Sequence, residues 1–321
     1  MKKYQIYGSG AALVDTEVVV SDEFLKQNQI ETGVMTLVGE PRQAELLNAF
    51  SADKHHLMKK SGGSACNTVI ASANFGSKTF FSGKVAADDD GQHFVGDLAD
   101  STASPEAGVT GKCLVMVTDD AERTMNTYLG ASEQLTGREI DEAALLESEW
   151  LYIEGYLLTD DARAALIKDV VAKAKSAGVK VALSLSDPFV AQIFADNLRA
   201  VIGVGVDLVF CNKDEALAFT QTETVDEACE ALKQSAKAFA VTDGAQGAII
   251  FDGQETVSVP GVPADAVDTN GAGDMFAGAF LYAVTAGCDF KWAAELANES
   301  AARVVGQFGL RLDAIEFDSI K

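Results

Sequence analysis

The stretch Asp268-Thr269-Asn270-Gly271-Ala272-Gly273-Asp274 sets three residues with almost no side chain directly ahead of a carboxylate, at the head of the apolar run Met275-Phe276-Ala277-Gly278-Ala279-Phe280. This pattern reads as a tight turn opening a buried helix. The backbone N–H groups of Gly271, Ala272 and Gly273, with the helix N-terminus, can then approach an anion closely and hold a phosphate or the charge on a phosphoryl group in transfer. A carboxylate there repels bound phosphate, so the useful role for Asp274 is to take a proton from an attacking hydroxyl. The competing reading is a glycine turn whose Asp complements the helix dipole. Spacing alone leaves both open.

Other polar segments sit where such a site needs them. Ser61-Gly62-Gly63-Ser64-Ala65-Cys66-Asn67 reads as a second glycine turn opening a small, apolar helix, either to admit a ligand or to allow close helix packing. Asn212-Lys213-Asp214-Glu215 follows a strand-like run, as do Thr242-Asp243-Gly244-Ala245-Gln246-Gly247 and the turn before Asp274. Ligands of open parallel sheets bind beyond the carboxyl ends of strands. Asn212 and Glu215 are hard oxygen donors that suit Mg²⁺ held through its waters. The same spacing also suits an N-cap with its capping-box Glu.

The elements that must carry these residues form two regions. Up to residue 130 the chain reads as strand, turn and strand over 4–20, a short helix at 22–27, a strand at 33–38, a helix at 41–50, and a hairpin pairing 112–118 with 124–129. From 150 onward strands and helices alternate, with one helix expected near 189–201 and closing helices at 272–287 and 290–305. Alternation of this kind predicts a parallel sheet with right-handed crossovers. Gly8-Ser9-Gly10 lacks the third glycine of a dinucleotide fingerprint, and residues 14–18 look extended, which disfavours a dehydrogenase.

Composition narrows the partners. The net charge of −23, from 48 acidic against 25 basic residues, disfavours nucleic acid and anionic membrane, so an anionic nucleotide needs local cations or a divalent metal to enter. The five cysteines are scattered without a CxxC pair, as expected of unpaired thiols in a reducing compartment. Lys2 and Lys3 could start a signal peptide, but the apolar run at 11–14 ends at Asp15; a cytoplasmic protein is expected. His55 and His56 are adjacent and lack further ligands, which argues against zinc. Monomer and homodimer both remain open.

Together these motifs resemble the ribokinase-like (PfkB-type) family of carbohydrate and nucleoside kinases over nearly the whole chain. Asp268 to Asp274 matches the family's C-terminal signature, and Gly62-Gly63 through Asn67 its N-terminal one. The resemblance implies a single Rossmann-like α/β domain with a small β-sheet lid, formed near 14–20, 33–38 and 112–130. It implies Asp274 as catalytic base, Gly271, Ala272 and Gly273 as anion hole, and Arg123 as a lid arginine reaching the transferring phosphate. Asp15, Gly62, Gly63 and Asn67 would bind substrate. Asn212 and Glu215 would organise Mg²⁺, while Asn212, Thr242, Gly244, Gly247 and Asn298 would hold ATP. K⁺ bound through backbone near Asp268 and Gly309 would be a further cofactor. The segment with Asp15, the stretch 22–50 and Thr110-Gly111-Lys112-Cys113-Leu114 leading to Arg123 are most similar to adenosine kinases within the family, implying phosphorylation of a purine nucleoside's 5′-hydroxyl; a sugar kinase is the alternative. Adenosine kinases commonly carry Asn where this chain has Ala11 or Ala12, so one hydrogen bond to the nucleoside is expected to be missing.

Overall fold

Consecutive residues of the strand Ser148–Glu154 serve opposite hydrophobic cores: Leu151 and Ile153 face one, Trp150 and Tyr152 the other. The strands Lys180–Ser184 and Leu208–Asn212 divide in the same way, with Val181, Leu183 and Val209 on one side and Ala182, Leu208 and Phe210 on the other. Strands buried on both faces require helices above and below the sheet. In the computed structural model, which describes residues 2–52, 58–103, 105–118, 123–312 and 319, that sheet has eight strands. Their order is Thr256–Pro260, Gly247–Phe251, Phe239–Thr242, Leu208–Asn212, Lys180–Ser184, Ser148–Glu154, Tyr4–Ser9 and Thr79–Ser82. Helices Asp161–Ser176, Ala195–Gly205, Lys213–Thr220 and Val225–Ser235 cover one face; Ser64–Phe75, Ala272–Thr285 and Phe290–Val305 cover the other. The fold is an α/β sandwich of Rossmann type.

Two expectations change. The strands Gly247–Phe251 and Thr256–Pro260 run antiparallel at the sheet edge rather than extending the parallel order. Only Asp243 to Gln246 separate Thr242 from Gly247, too few residues for a parallel crossover. The single helix expected near 189–201 is two helices, Pro188–Ile193 and Ala195–Gly205, divided at Phe194, whose φ of −106° and ψ of 24° leave the helical path.

A second, smaller sheet stands beside the first, in the order Met35–Leu37, Arg123–Gly130, Thr110–Val117, Leu13–Val19 and Met58–Gly62. It contains the three segments read as the lid and adds the strand ending at Gly62, which pairs antiparallel with Leu13–Val19. His55, His56 and the hairpin turn at 119–122 lie outside the described residues. Among the described residues no helix is long and apolar enough to cross a membrane.

Candidate active site

Most helices here are capped by a side chain, such as Asp160 before Asp161–Ser176 or Asp289 before Phe290–Val305. The helices Ser64–Phe75 and Ala272–Thr285 are not. They start from Gly63 and Gly271 at φ values of 90° and 75°, residues with no side chain to cap them; the Ala65 N–H goes instead to the Glu154 carboxylate and the Ala272 N–H to the Thr269 carbonyl at 3.4 Å. A Cβ on Gly278 would lie 2.6 Å from the Ala71 Cβ and from the Thr68 carbonyl oxygen. The glycine thus lets the helices touch, and two positive helix ends meet on one spot.

Asp274 occupies that spot. Its Oδ1 accepts a hydrogen bond from Ser64 Oγ at 2.7 Å, and its Oδ2 one from Asn67 Nδ2 at 3.2 Å. Far from facing solid interior, Asp274 and Gly273 line a cleft together with Ser64, Asn212, Glu215 and Thr242. Burial raises the Asp274 carboxyl to about 6, with the Ser64 and Asn67 hydrogen bonds and the charges of Arg123 and Arg311 opposing. Above that value it is an ionised carboxylate hydrogen-bonded by neutral donors.

The residues expected on the substrate side approach through glycines. A Cβ on Gly62 would lie 2.0 Å from the Asp15 Cγ, and one on Gly63 2.2 Å from the Ala11 carbonyl oxygen, so both positions need glycine for steric reasons. Asp15 is buried against that strand; burial, then the neighbouring Glu17, raises its carboxyl to about 8. Arg123 leans from the second sheet onto the turn before Asp274, donating to Thr269 Oγ1 at 3.2 Å and to Asn270 Oδ1 at 2.5 Å. Asp268, fully buried, accepts from the N–H groups of Asn270 and Gly309, which joins the two residues assigned to a K⁺ site.

Across the cleft, Asn212 and Glu215 make the capping box: the Asn212 side chain accepts from the Glu215 N–H, and the Glu215 carboxylate accepts from both Asn212 nitrogens. Glu215 is buried and raised to about 8, yet still lines the cleft. Among the described residues no group of three or more His, Cys, Asp or Glu could hold a metal directly. Of the two carboxyls on the cleft, Asp274 is bonded to Ser64 and Asn67, and Glu215 would suit an outer place toward a Mg²⁺ that keeps its waters. Gly247 and Asn298 meet elsewhere, at Pro260, and Gly244 opens the turn that leads to Gly247, at a φ of 52°. Gly247 pairs with Pro260 across the edge strands, and Asn298 Nδ2 donates to the carbonyls of Val259 and Pro260 at 3.2 and 3.0 Å. Asn298 is buried, not a surface residue.

Two residues escaped the sequence reading. Glu154 ends its strand beneath the site and accepts from the N–H groups of Ala11 and Ala65 at 2.7 and 2.8 Å, tying the first loop to the Ser64 helix. Its place at a strand's carboxyl end was a signal. Arg311, within Leu310-Arg311-Leu312, carried none, yet its guanidinium reaches Asn67.

Burial raises Asp15, Glu17, Glu154, Glu215 and Asp274 to between about 6 and about 8. Raised carboxyls bind more protons in the folded than in the unfolded chain, so their stabilising protonation is complete below about pH 4 and lost as pH rises through the folded values. The ligand-free protein should melt at least a few degrees lower at pH 8.5 than at pH 6. A flat or rising midpoint in calorimetry would contradict this.

The comparisons agree with this geometry. The sequence model described as pfkB family carbohydrate kinase matches residues 40–316. The chain is 28% identical to adenosine kinase of Saccharomyces cerevisiae over 337 aligned positions, covering 94% of each protein. Among solved structures, adenosine kinase from Sinorhizobium meliloti has a TM-score of 0.91 at 34% identity, covering 99% of this chain and 98% of that one. A probable sugar kinase from Rhizobium etli CFN 42 has a TM-score of 0.91 at 32% identity, with 100% of both chains covered. With a carboxylate set between two helix N-termini and a match of that extent, this chain belongs to the pfkB family of carbohydrate kinases and phosphorylates a hydroxyl group.

Proposed function

We propose that this kinase transfers the γ-phosphoryl group of ATP to the 5′-hydroxyl of a purine nucleoside, adenosine foremost. The observation that carries the reading is Asp274, bonded to Ser64 and Asn67 where two uncapped helices converge. Its support on the substrate side is the similarity to adenosine kinases over the full chain. Asp15 and Asn67 grip hydroxyls of the acceptor, and Asp274 removes the proton of the attacking one. The N–H groups of Gly271, Ala272 and Gly273 take up the developing phosphoryl charge, and Arg123 adds a cation at the same turn. Mg²⁺, when bound, neutralises phosphate charge beside Asn212 and Glu215. Thr242, Gly244, Gly247 and Asn298 form the nucleotide side. Asp268, bonded to the Gly309 N–H, ties together the two loops that would hold a K⁺ ion, whose charge would support the anion hole. The second sheet serves as a lid that excludes water during transfer. Five free thiols suit work in a reducing cytoplasm.

A sugar acceptor is the second reading, favoured by one feature. Ala11 and Ala12 form hydrogen bonds through the backbone alone, their N–H groups donating to Glu154 and Ser132 and the Ala12 carbonyl accepting from Ser132 Oγ, so these two positions offer the base no side-chain hydrogen bond. Coupled ADP-release assays across adenosine, other nucleosides, ribose and fructose separate the two. Adenosine should give the highest kcat/KM, with an acid limb near pH 6 as Asp274 becomes protonated. Faster turnover of a free sugar would overturn the nucleoside assignment while leaving the base in place.

A further inference from the structure

After the helix Phe290–Val305 the chain turns back over the active site. The Gly309 N–H donates to Asp268 Oδ2 at 3.1 Å, Gln307 Nε2 holds the Arg311 carbonyl at 2.7 Å, and a Cβ on Gly271 would lie 3.1 Å from the Leu310 carbonyl oxygen. These contacts deliver the mostly buried Arg311 guanidinium to the far side of Asn67. Its Nη2 donates to the Ser61 carbonyl and lies 3.4 Å from both Ser61 Oγ and Asn67 Oδ1, while Nη1 pairs with Asp97 Oδ2 at 3.3 Å. An amide whose oxygen meets a guanidinium has one favourable orientation, with its NH₂ directed the other way. That NH₂ is the group bonded to Asp274 Oδ2 at 3.2 Å.

We propose that Arg311 is a positioning residue for phosphoryl transfer, holding the Asn67 amide so that its NH₂ faces Asp274 and the acceptor hydroxyl beside it. The proposal rests on the base role given to Asp274. The groups facing Asp274 are Ser64 and Asn67 from one helix, Arg123 from the second sheet and Arg311 from the C-terminal segment. Opposing them are Asp15, Glu154 and Glu215, with the Tyr152 and Tyr156 phenols nearby. Arg311 is one of two cations in that balance, so it also favours the ionised base. Asp97, which keeps Arg311 company, is itself held below the usual carboxylate range because Ser61 hydrogen bonds and the Arg311 charge outweigh its burial.

The test compares Arg311→Gln, Arg311→Lys and Asp274→Asn in the full chain with ATP, Mg²⁺ and the acceptor that turns over in the panel, from pH 5 to pH 9. Thermal midpoints are recorded alongside. Arg311→Gln should lower kcat roughly 10- to 100-fold through misplacement of Asn67 and move the acid limb up by about one pH unit. Arg311→Lys keeps the charge without the planar fork, so kcat should fall at least about fivefold with the acid limb unmoved and the KM for ATP unchanged. A folded Arg311→Gln protein with unaltered kcat and acid limb overturns the proposal. If that variant does not fold, unaltered kcat in Arg311→Lys does so. Substantial turnover in Asp274→Asn would instead remove the base reading itself, which separates the two failures.

Discussion

Replacing Asp274 by Asn is expected to lower kcat by roughly 10²- to 10⁴-fold, the loss that follows removal of a positioned general base, with the KM for ATP little changed. Folding should survive. The carboxylate is raised to about 6 by burial, so its charge costs stability at neutral pH, and a neutral amide of the same shape removes that cost. Ser64 Oγ can stay hydrogen-bonded by rotating its hydroxyl, and the helix start at Gly271 does not depend on residue 274 as a cap. The variant should therefore melt no lower than the parent at pH 7.5 while turning over far more slowly. Near-normal kcat in a folded protein would mean that another group accepts the proton.

Gly62→Ala should act on substrate affinity. The strand Met58–Gly62 pairs with Leu13–Val19 so that Asp15 lies opposite Lys60, and the Asp15 carboxyl fills the space a Gly62 side chain would need. At 2.0 to 2.2 Å from all three carboxyl atoms, the added methyl must displace Asp15 or part the strands. Overpacking of this kind costs ~1–3 kcal/mol of stability. If Asp15 grips the acceptor, its displacement should raise the acceptor KM on the order of 10- to 100-fold, with a smaller change in kcat. Asp15→Asn, which keeps the packing, should also raise that KM. An unchanged acceptor KM in both variants would remove Asp15 from the substrate site.

Much of the architecture was legible because period and punctuation are local properties. Alternating strands and helices after residue 150 indicated the sandwich, and a glycine turn before an apolar run located the helix that carries Asp274. The direction of the edge strands was not legible in the alternation, because it depends on what can be joined, and a four-residue turn admits only an antiparallel neighbour. Asn212 and Glu215 show the limit differently. Their spacing suited a capping box and oxygen donors toward Mg²⁺ equally; the fold forms the capping box and leaves Glu215 on the cleft wall.

By itself the sequence determined which segments would gather at one cleft, since a carboxylate, small residues and strand-end polar groups are written contiguously in Asp268 to Asp274, Gly62 to Asn67 and Asn212 to Glu215. Only the tertiary structure decided which side chains share a charge. Asp274 meets Ser64 and Asn67 from about two hundred positions away, and Arg311 closes on Asn67 and Asp97 from a segment with no motif of its own. The physical reason is that burial and electrostatic coupling act through space: a carboxyl is raised or a guanidinium held by whatever packing brings within a few ångströms, whatever the separation along the chain.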